Sequence, residues 1–384
     1  MIWKESNMSL KNNISGLRRY SAIASREIVP ALRLASVCAV VCGIAILLSQ
    51  LYVKQKDGLD TVSDIPFYLF VSYIVIGIGI GIATFSYLAE REVDRFYKLF
   101  PISPLGLVLL KTVITLLFCA AFISVTVYSV YEICDFVTPE SNYGYIKGYT
   151  AVRGGEYGLM ELPGTLYAFF YGFSVGAFCS SVFSRVIVAV IHIIPFLATK
   201  LLIFLPAILW FEYRVGYVSK VTEISFTGFI TPELGLLAAG VAKDNRYRLE
   251  WFENALWING VIILLLAFIL ISLRRGEHSG KLFADSAFYP VYALPISFGT
   301  VIALEYFLGS YQNISKWSAS DAIRYAAVST LLFVLIGVIC EKNIKRWGRV
   351  LAVGGIAFFV TFTYYVFIIE FDDLALKIVS ALAK

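Results

Sequence analysis

The sequence predicts an all-α protein that crosses a lipid bilayer several times. Of its 384 residues, 59% are hydrophobic and only 15% are charged, and the mean hydropathy is +0.78. Soluble domains carry about 25% charged residues, so this chain has too few of them to cover a surface that faces water. Its apolar runs are about 20 residues long, whereas outer-membrane barrels show alternating segments of about 10 residues. These observations exclude a soluble enzyme and favour a polytopic helical membrane protein.

Nine apolar runs are predicted to span the membrane, since each is close to the roughly 20 residues that cross about 30 Å of hydrocarbon. The first run follows a basic arm and has no small-residue cleavage site after it, which favours an anchor over a signal peptide. Prolines in the fifth and seventh runs predict kinks there. The predicted spans cover residues 31–53, 65–88, 104–131, 162–183, 186–211, 254–273, 286–309, 322–340 and 350–370.

The distribution of charge predicts that the N-terminus is cytoplasmic. The segments that this orientation places inside carry 18 Lys and Arg against 8 acids, and those placed outside carry 13 against 18 acids. An excess of Lys and Arg on the cytoplasmic side is the usual result of membrane insertion. Nine spans then put the C-terminus outside, where the tail 371–384 is expected to lie along the interface as an amphipathic helix. The predicted outer segments 132–161 and 212–253 are long.

Residues 1–33 form a polar, basic arm, and its part from Leu10 to Arg33 is predicted to be an amphipathic helix along the inner leaflet. The apolar side chains follow helical spacing, and the basic ones suit anionic lipid headgroups, so membrane lipids are an expected partner. A disordered basic arm is the alternative. The apolar residues are Leu17, Tyr20, Ile23 and Ala24, and the basic ones are Lys11, Arg18, Arg19 and Arg26.

The sequence offers no motif for catalysis or for nucleic-acid binding. The run 276–281 has three residues between its glycines instead of four and no Ser or Thr after its Lys, so it is not a phosphate loop. Neither histidine, His192 or His278, has a nucleophile elbow beside it. The six cysteines form no CxxC pair, so no metal site is expected and the cysteines are interpreted as small buried hydrophobes. We expect no catalytic residue and no bound cofactor in this chain.

Glycines within two of the predicted spans are interpreted as sites of close helix packing. Gly77, Gly79 and Gly81 lie in the second span, and Gly172 and Gly176 lie in the fourth. Small residues at such spacing let the backbones of two membrane helices approach each other. A dinucleotide-binding loop, which the first set superficially resembles, does not fit a position in mid-membrane.

Ionisable residues at membrane depth are costly and indicate a partner or a water-filled path. Within the predicted spans these residues are His192, Lys200 and Glu305, and Lys111 lies near the inner end of span three. At 1.5 Å per residue, Lys200 and Glu305 lie roughly 21 and 25 Å from the inner side. We therefore expect them to pair across spans five and seven. The alternative is that each side chain snorkels separately toward the outer headgroups.

The most informative stretch is the predicted cytoplasmic segment 89–103 between spans two and three. Charges of both signs crowd one short amphipathic helix that ends at Pro101, before span three begins at Pro104. A loop that only reconnects two spans needs none of these charges, so the segment is interpreted as a docking surface for a soluble partner. A solvated charged connector is the alternative. The residues of the surface are Glu90, Arg91, Glu92, Asp94, Arg95, Tyr97 and Lys98.

At this segment the chain resembles the membrane subunits of ABC transporters of the ABC-2 type. In that family a coupling helix links the second and third spans, followed by a Leu-Pro-[Ile/Val]-Ser-Pro-like turn and a Lys early in the next helix. This sequence has Leu99-Phe100-Pro101-Ile102-Ser103-Pro104 and then Lys111, with one Phe inserted. The elbow helix, the short link Ser180–Arg185 and the six-span core are further similarities. The run 274–280 resembles the Arg-x-x-Glu-x-x-Gly pattern of a Gram-positive subgroup with extra helices.

The resemblance covers about residues 10–285 and is weak over 286–370. It implies a six-helix ABC-2 core of the type V exporter kind at 31–273, a cytoplasmic linker at 274–285 and three additional spans within 286–370. The long outer segments depart from the minimal drug-exporting members of the family.

The resemblance also implies a function and a location. The chain would be a permease in the cell membrane of a bacterium, paired with an identical or sister permease. Two ATPase subunits beneath would bind ATP and Mg²⁺, and the segment 90–98 and Arg185 would contact them. The implied cargo is amphipathic or hydrophobic (a peptide, a lipid-like molecule or a drug), and the implied direction is export.

Two other functions stay open at the level of the sequence. An ion-coupled secondary transporter would use His192, Lys200 and Glu305 as a relay and would need no ATPase, although the spans show no inverted repeat. A sensor or scaffold subunit that transports nothing would detect a ligand with its outer segments and signal through the same coupling helix.

Overall fold

The computed structural model is built from α-helices, most of them long and apolar. It describes residues 2–55, 65–89, 103–137, 154–183, 185–193, 196–197, 249–273, 293–294, 296–297, 300–301, 319–340 and 347–370. Among these residues, six helices are long and apolar enough to cross a membrane. This result confirms the prediction of a polytopic helical membrane protein. The elements are α1 (Ile2–Gln55), α2 (Ile65–Phe85) with a 3₁₀ helix (Ser86–Ala89), α3 (Pro104–Val137), α4 (Gly154–Val182), α5 (Val186–Ile191), α6 (Leu249–Leu273), α7 (Ala319–Cys340) and α8 (Trp347–Glu370).

The six helices correspond to the first, second, third, fourth, sixth and eighth predicted spans. The ninth predicted span lies in α8, whose apolar stretch Val350–Val366 is shorter. Spans five and seven fall mostly outside the described residues, as do the linker 274–285 and the tail 371–384. The link between α4 and α5 is short, as predicted, because α4 ends at Val182 and α5 begins at Val186.

Several helices are longer than the spans that hydropathy predicts. Helix α3 has 34 residues, which is roughly 51 Å at 1.5 Å per residue and exceeds the hydrocarbon thickness of about 30 Å. It therefore extends into the predicted outer segment 132–161, as α4 does from the other side, and α6 begins within the predicted segment 212–253. Helix α1 covers the predicted amphipathic arm and span one without a break at Pro30. The hydropathy pattern marks only the apolar part of each helix.

The chain forms two compact units, the first made of Met1–Ala189 and Ala242–Ser279 and the second of Val190–Val241 and Gly280–Lys384. In the first unit α4 is central, since it packs against α2, α3 and α6, while α1 packs mainly on α3. The apolar stretch of α4 is accordingly 83% buried, the largest share among the described spans. The other spans expose many large apolar side chains, which suits helices that face lipid.

A seam of glycines joins α2 and α4. A Cβ atom on Gly77 or Gly81 would overlap the backbone of α4 at Phe173, and one on Gly172 or Gly176 would overlap the backbone of α2. This arrangement confirms the packing role predicted for these four glycines. Gly79 is the exception, because nothing lies within 4 Å of the position that its Cβ would take.

The contacts also fix the relative directions of the helices in the first unit. Along the seam, Gly172 meets Ile74 and Gly176 meets Ile78, so α2 and α4 run parallel. Helices α1 and α3 are parallel for the same reason, because Glu27 bonds to Lys111 near one end and Gly43 packs on Thr126 further along. Parallel odd-numbered helices and parallel even-numbered helices are what a chain that recrosses the membrane at each link produces.

In the second unit, α7 and α8 pack on each other through a cluster of buried side chains. Tyr325 near the start of α7 lies against Tyr365 near the end of α8, with ring centroids 5.2 Å apart. Gly354 lets the side chain of Val334 approach closely. The cluster also contains Val301 and Ala322. Aromatic pairs at this separation stabilise a contact by about 0.5–1.5 kcal/mol beyond the area that they bury.

Candidate functional site

The site of interest lies where the predicted docking segment joins the helix bundle. The segment residues Glu90, Arg91, Glu92, Asp94, Arg95, Tyr97 and Lys98 fall outside the described part of the chain. Both flanks of the segment are described: the 3₁₀ helix Ser86–Ala89 precedes it and α3 follows it. The geometry of these flanks shows how the segment is attached to the spans.

The leading flank is firmly seated in the bundle. Tyr87 and Leu88 of the 3₁₀ helix are buried. The ring of Phe85, at the end of α2, is 6.5 Å from the ring of Tyr87 and 6.1 Å from that of Phe173 on α4. The Thr84 hydroxyl donates a hydrogen bond to the carbonyl oxygen of Ile80 at 2.8 Å. The turn that follows α2 is therefore packed into the bundle.

The trailing flank is a capped helix start. The hydroxyl oxygen of Ser103 accepts a bond from the amide of Gly106 at 3.1 Å, and the Ser103 carbonyl accepts one from Leu107 at 3.1 Å. Ser at the cap followed by Pro104 in the first turn is a favoured helix start, because Pro has no amide hydrogen that would need a partner there. The Ser-Pro pair, one of the features of the resemblance, thus fixes where α3 begins.

An ion pair between α1 and α3 lies at this end of the first unit. The Lys111 ammonium group donates to Glu27 Oε2 at 2.8 Å, and the two side chains are only 8% and 9% exposed. The same ammonium group lies 4.5 Å from the centroid of the Tyr87 ring, a cation–π contact with the 3₁₀ helix. We call these three residues the Glu27–Lys111–Tyr87 joint. It ties together α1, the turn after α2 and the first two turns of α3.

The electrostatics of the joint make it hard to open. A buried ion pair is held by strong mutual attraction, but each charge left alone in an apolar setting costs several kcal/mol. Here each charge has the other as its partner, and the Tyr87 ring lies against the Lys111 ammonium group. The joint therefore keeps both charges where they are and resists separation of the elements that bear them.

The other predicted site residues have mixed outcomes. Arg185 is exposed in the link between α4 and α5, and its carbonyl oxygen accepts the amide of Ala189 at 3.0 Å. His192 is half-buried. Lys200 and Glu305 fall outside the described residues, so their pairing stays a prediction.

The sequence reasoning noticed Lys111 but missed Glu27 as its partner. The sequence did contain a signal for this partner, namely the four-residue spacing of Ile23, Glu27, Ala31 and Ala35. The structure shows that all four side chains are buried. An acid inside such a stripe faces the neighbouring helix, whereas Arg26, one position before it, is exposed.

Four of the six cysteines have described side chains, and these four are confirmed as small buried residues. Cys38, Cys42, Cys119 and Cys179 are all buried free thiols. The Sγ atoms of Cys38 and Cys42 lie 3.9 Å apart, one turn along α1. Within the described parts of the chain, no group of three His, Cys, Asp or Glu side chains is arranged to hold a metal ion.

The arrangement of the joint suits a mechanical role. It links the two flanks of the charged segment 90–102 to a third helix. Comparisons of the chain with family models, with curated proteins and with solved structures find no match.

Proposed function

We propose that this chain is the transmembrane permease subunit of an ATP-driven ABC transporter of the ABC-2 type. The observation that carries the proposal is the attachment of the segment 90–102. Its leading flank contains the buried Tyr87, and its trailing flank is the capped start of α3. Lys111 of α3 joins the two flanks by its contact with the Tyr87 ring. A connector that only spans a gap needs no such anchoring, whereas a lever that receives force from a partner does.

In the proposed mechanism the force comes from separate ATPase subunits. They bind ATP and Mg²⁺ and close on each other, and the charged segment, seated on one of them, is displaced. Binding of ATP can shift the spans only through a contact that differs between the two states, and the segment supplies that contact. The tilt of α2 and α3 then switches a pathway between inward-open and outward-open states.

The pathway is shared with a second permease, identical or related, and the cargo is amphipathic or hydrophobic. The described helices suit such cargo because several of their polar side chains bond back to their own helix. Ser124, Ser174 and Thr361, for example, donate to carbonyl oxygens four residues earlier.

Co-purification tests this proposal. The tagged chain is extracted from its own membrane in mild detergent, as wild type and as Glu90→Lys/Asp94→Lys. Glu132→Lys serves as the control, since it makes a single acid-to-lysine change at the opposite end of α3. We expect an ATPase subunit to accompany the wild type and the control and to be lost from the double variant, because like charges across an interface oppose binding. No ATPase with any of the three would overturn the proposal and turn attention to Lys200 and Glu305 as an ion-coupled site.

A further inference from the structure

The first unit contains two helix pairs that are joined in different ways. Helices α2 and α4 meet backbone to backbone along the glycine seam. Helices α1 and α3 meet through side chains: the Glu27–Lys111 pair lies near one end, and the side chain of Thr126 packs on Gly43 further along. Helix α1 packs far more on α3 than on α2.

This division matters because the segment 90–102 is attached to one helix of each pair. Its leading flank continues α2, and its trailing flank is the start of α3. A displacement of the segment pulls directly on these two helices. Helix α1 does not adjoin the segment in the sequence, so it moves together with α3 only if a non-covalent contact holds the two helices together.

The ion pair is suited to provide that contact. If α1 and α3 moved apart at this end, both Glu27 and Lys111 would lose their bond while still largely shielded from water. Breaking a buried pair in this way is strongly unfavourable, whereas apolar contacts alone allow two helices to slide in an apolar medium. The pair therefore favours motion of α1 and α3 as one body.

We propose that Glu27 is a positioning residue that makes α1 travel with α3 when the segment 90–102 is displaced. This inference rests on the proposed function and extends it, because it brings the N-terminal helix into the moving part of the permease. Tyr87 then marks the boundary between the two pairs, since its ring touches Lys111 while its backbone belongs to the turn after α2.

Distances between spin labels test the inference in the complex with its ATPase subunits. Labels are placed on exposed positions: Val29 on α1, Leu109 on α3 and Ala83 on α2. In the otherwise wild-type complex, we expect Mg-ATP to change the distance from Leu109 to Ala83 and to leave the distance from Val29 to Leu109 unchanged. A complex without introduced cysteines reports the background from the native thiols.

The decisive variant is Glu27→Gln/Lys111→Met, which removes the ion pair without leaving one charge buried alone and therefore keeps the chain foldable. In it we expect Mg-ATP to shift the distance from Val29 to Leu109. The charge exchange Glu27→Lys/Lys111→Glu restores an ion pair in reverse order, and we expect it to remove that shift again. Glu132→Gln, an acid of α3 away from the joint, should behave as the wild type.

The outcomes separate this inference from the function on which it rests. If no ATPase binds the wild-type chain, the proposed function fails and the role of Glu27 fails with it. If the ATPase binds and Mg-ATP moves Leu109 relative to Ala83, but the double variant keeps a constant distance from Val29 to Leu109, only the role of Glu27 is overturned. A shift of that distance already in the wild type would overturn it as well.

Discussion

Lys111 shows how a charge is accommodated near the end of a membrane helix. It lies two turns into α3, where its ammonium group has a carboxylate at 2.8 Å and an aromatic face at 4.5 Å. The carboxylate compensates the charge, and the ring of Tyr87 offers its negative face to the same cation. The three residues come from sequence positions far apart, so the arrangement depends on the parallel packing of α1 and α3.

Removing only Lys111 should destabilise the protein strongly. The variant Lys111→Met leaves Glu27 buried without its cation, which costs about 3–5 kcal/mol in comparable pairs. We expect a clearly lower melting temperature in detergent and substantial recovery when Glu27→Gln is added. The exposed pair of Arg324 with Asp321 provides the control, since its loss through Arg324→Gln should cost less than about 1 kcal/mol. Equal effects of Lys111→Met and Arg324→Gln would contradict the account of the joint.

At this scale the sequence predicted only half of the site. The cost of a charge at membrane depth drew attention to Lys111, and the helical spacing of the basic arm was recognised. The partner was missed because Glu27 lies in a basic segment of the sequence, and composition alone does not separate the two faces of a helix. The buried stripe of Ile23, Glu27 and Ala31 separates them.

Among the helices, the seam between α2 and α4 is the part of the fold that the sequence predicted best. Its glycines recur every four residues on both helices, and in an apolar medium small residues are the main means by which two backbones come close. The ends of the helices were predicted less well, because hydropathy detects the hydrocarbon thickness and not the polar turns that extend α3 and α6 beyond it.

Single methyl groups test the seam. Gly172→Ala would drive a Cβ atom into the backbone of α2 at Ile74, and a backbone cannot move aside as a flexible side chain can. Overpacking of this kind costs about 1–3 kcal/mol or more. We expect a lower yield of monodisperse protein and a lower melting temperature. Gly79→Ala adds the same methyl group where nothing lies within 4 Å and should leave both quantities unchanged.

Over the whole molecule, the parallel directions of α1 with α3 and of α2 with α4 agree with a chain that recrosses the bilayer at each link. The charge count predicts which end of each span faces the cytoplasm, whereas the fold constrains only the alternating direction of the spans. Spans five and seven carry the prolines and the ionisable residues whose pairing the sequence predicts. Their arrangement depends on long-range packing, for which periodicity gives no rule.

Labelling from outside the cell tests the orientation. Ser103 and Leu159 are both exposed, and the predicted topology places Ser103 inside and Leu159 outside. In intact cells we expect a membrane-impermeant thiol reagent to label Leu159→Cys and not Ser103→Cys, with both labelled after the cells are opened. The unsubstituted chain gives the background of the native cysteines. The reverse pattern would place the segment 90–102 outside, where no ATPase could reach it.

The most direct test of the central claim is a photo-crosslink formed in living cells. A photoreactive amino acid replaces Asp94 in the charged segment or, as the matched control, Leu159 on the predicted outer side. We expect a covalent adduct from position 94 that contains peptides of an ATPase subunit, and no such adduct from position 159. A chain that is present in the membrane at normal amounts but forms no ATPase adduct from position 94 would contradict the account.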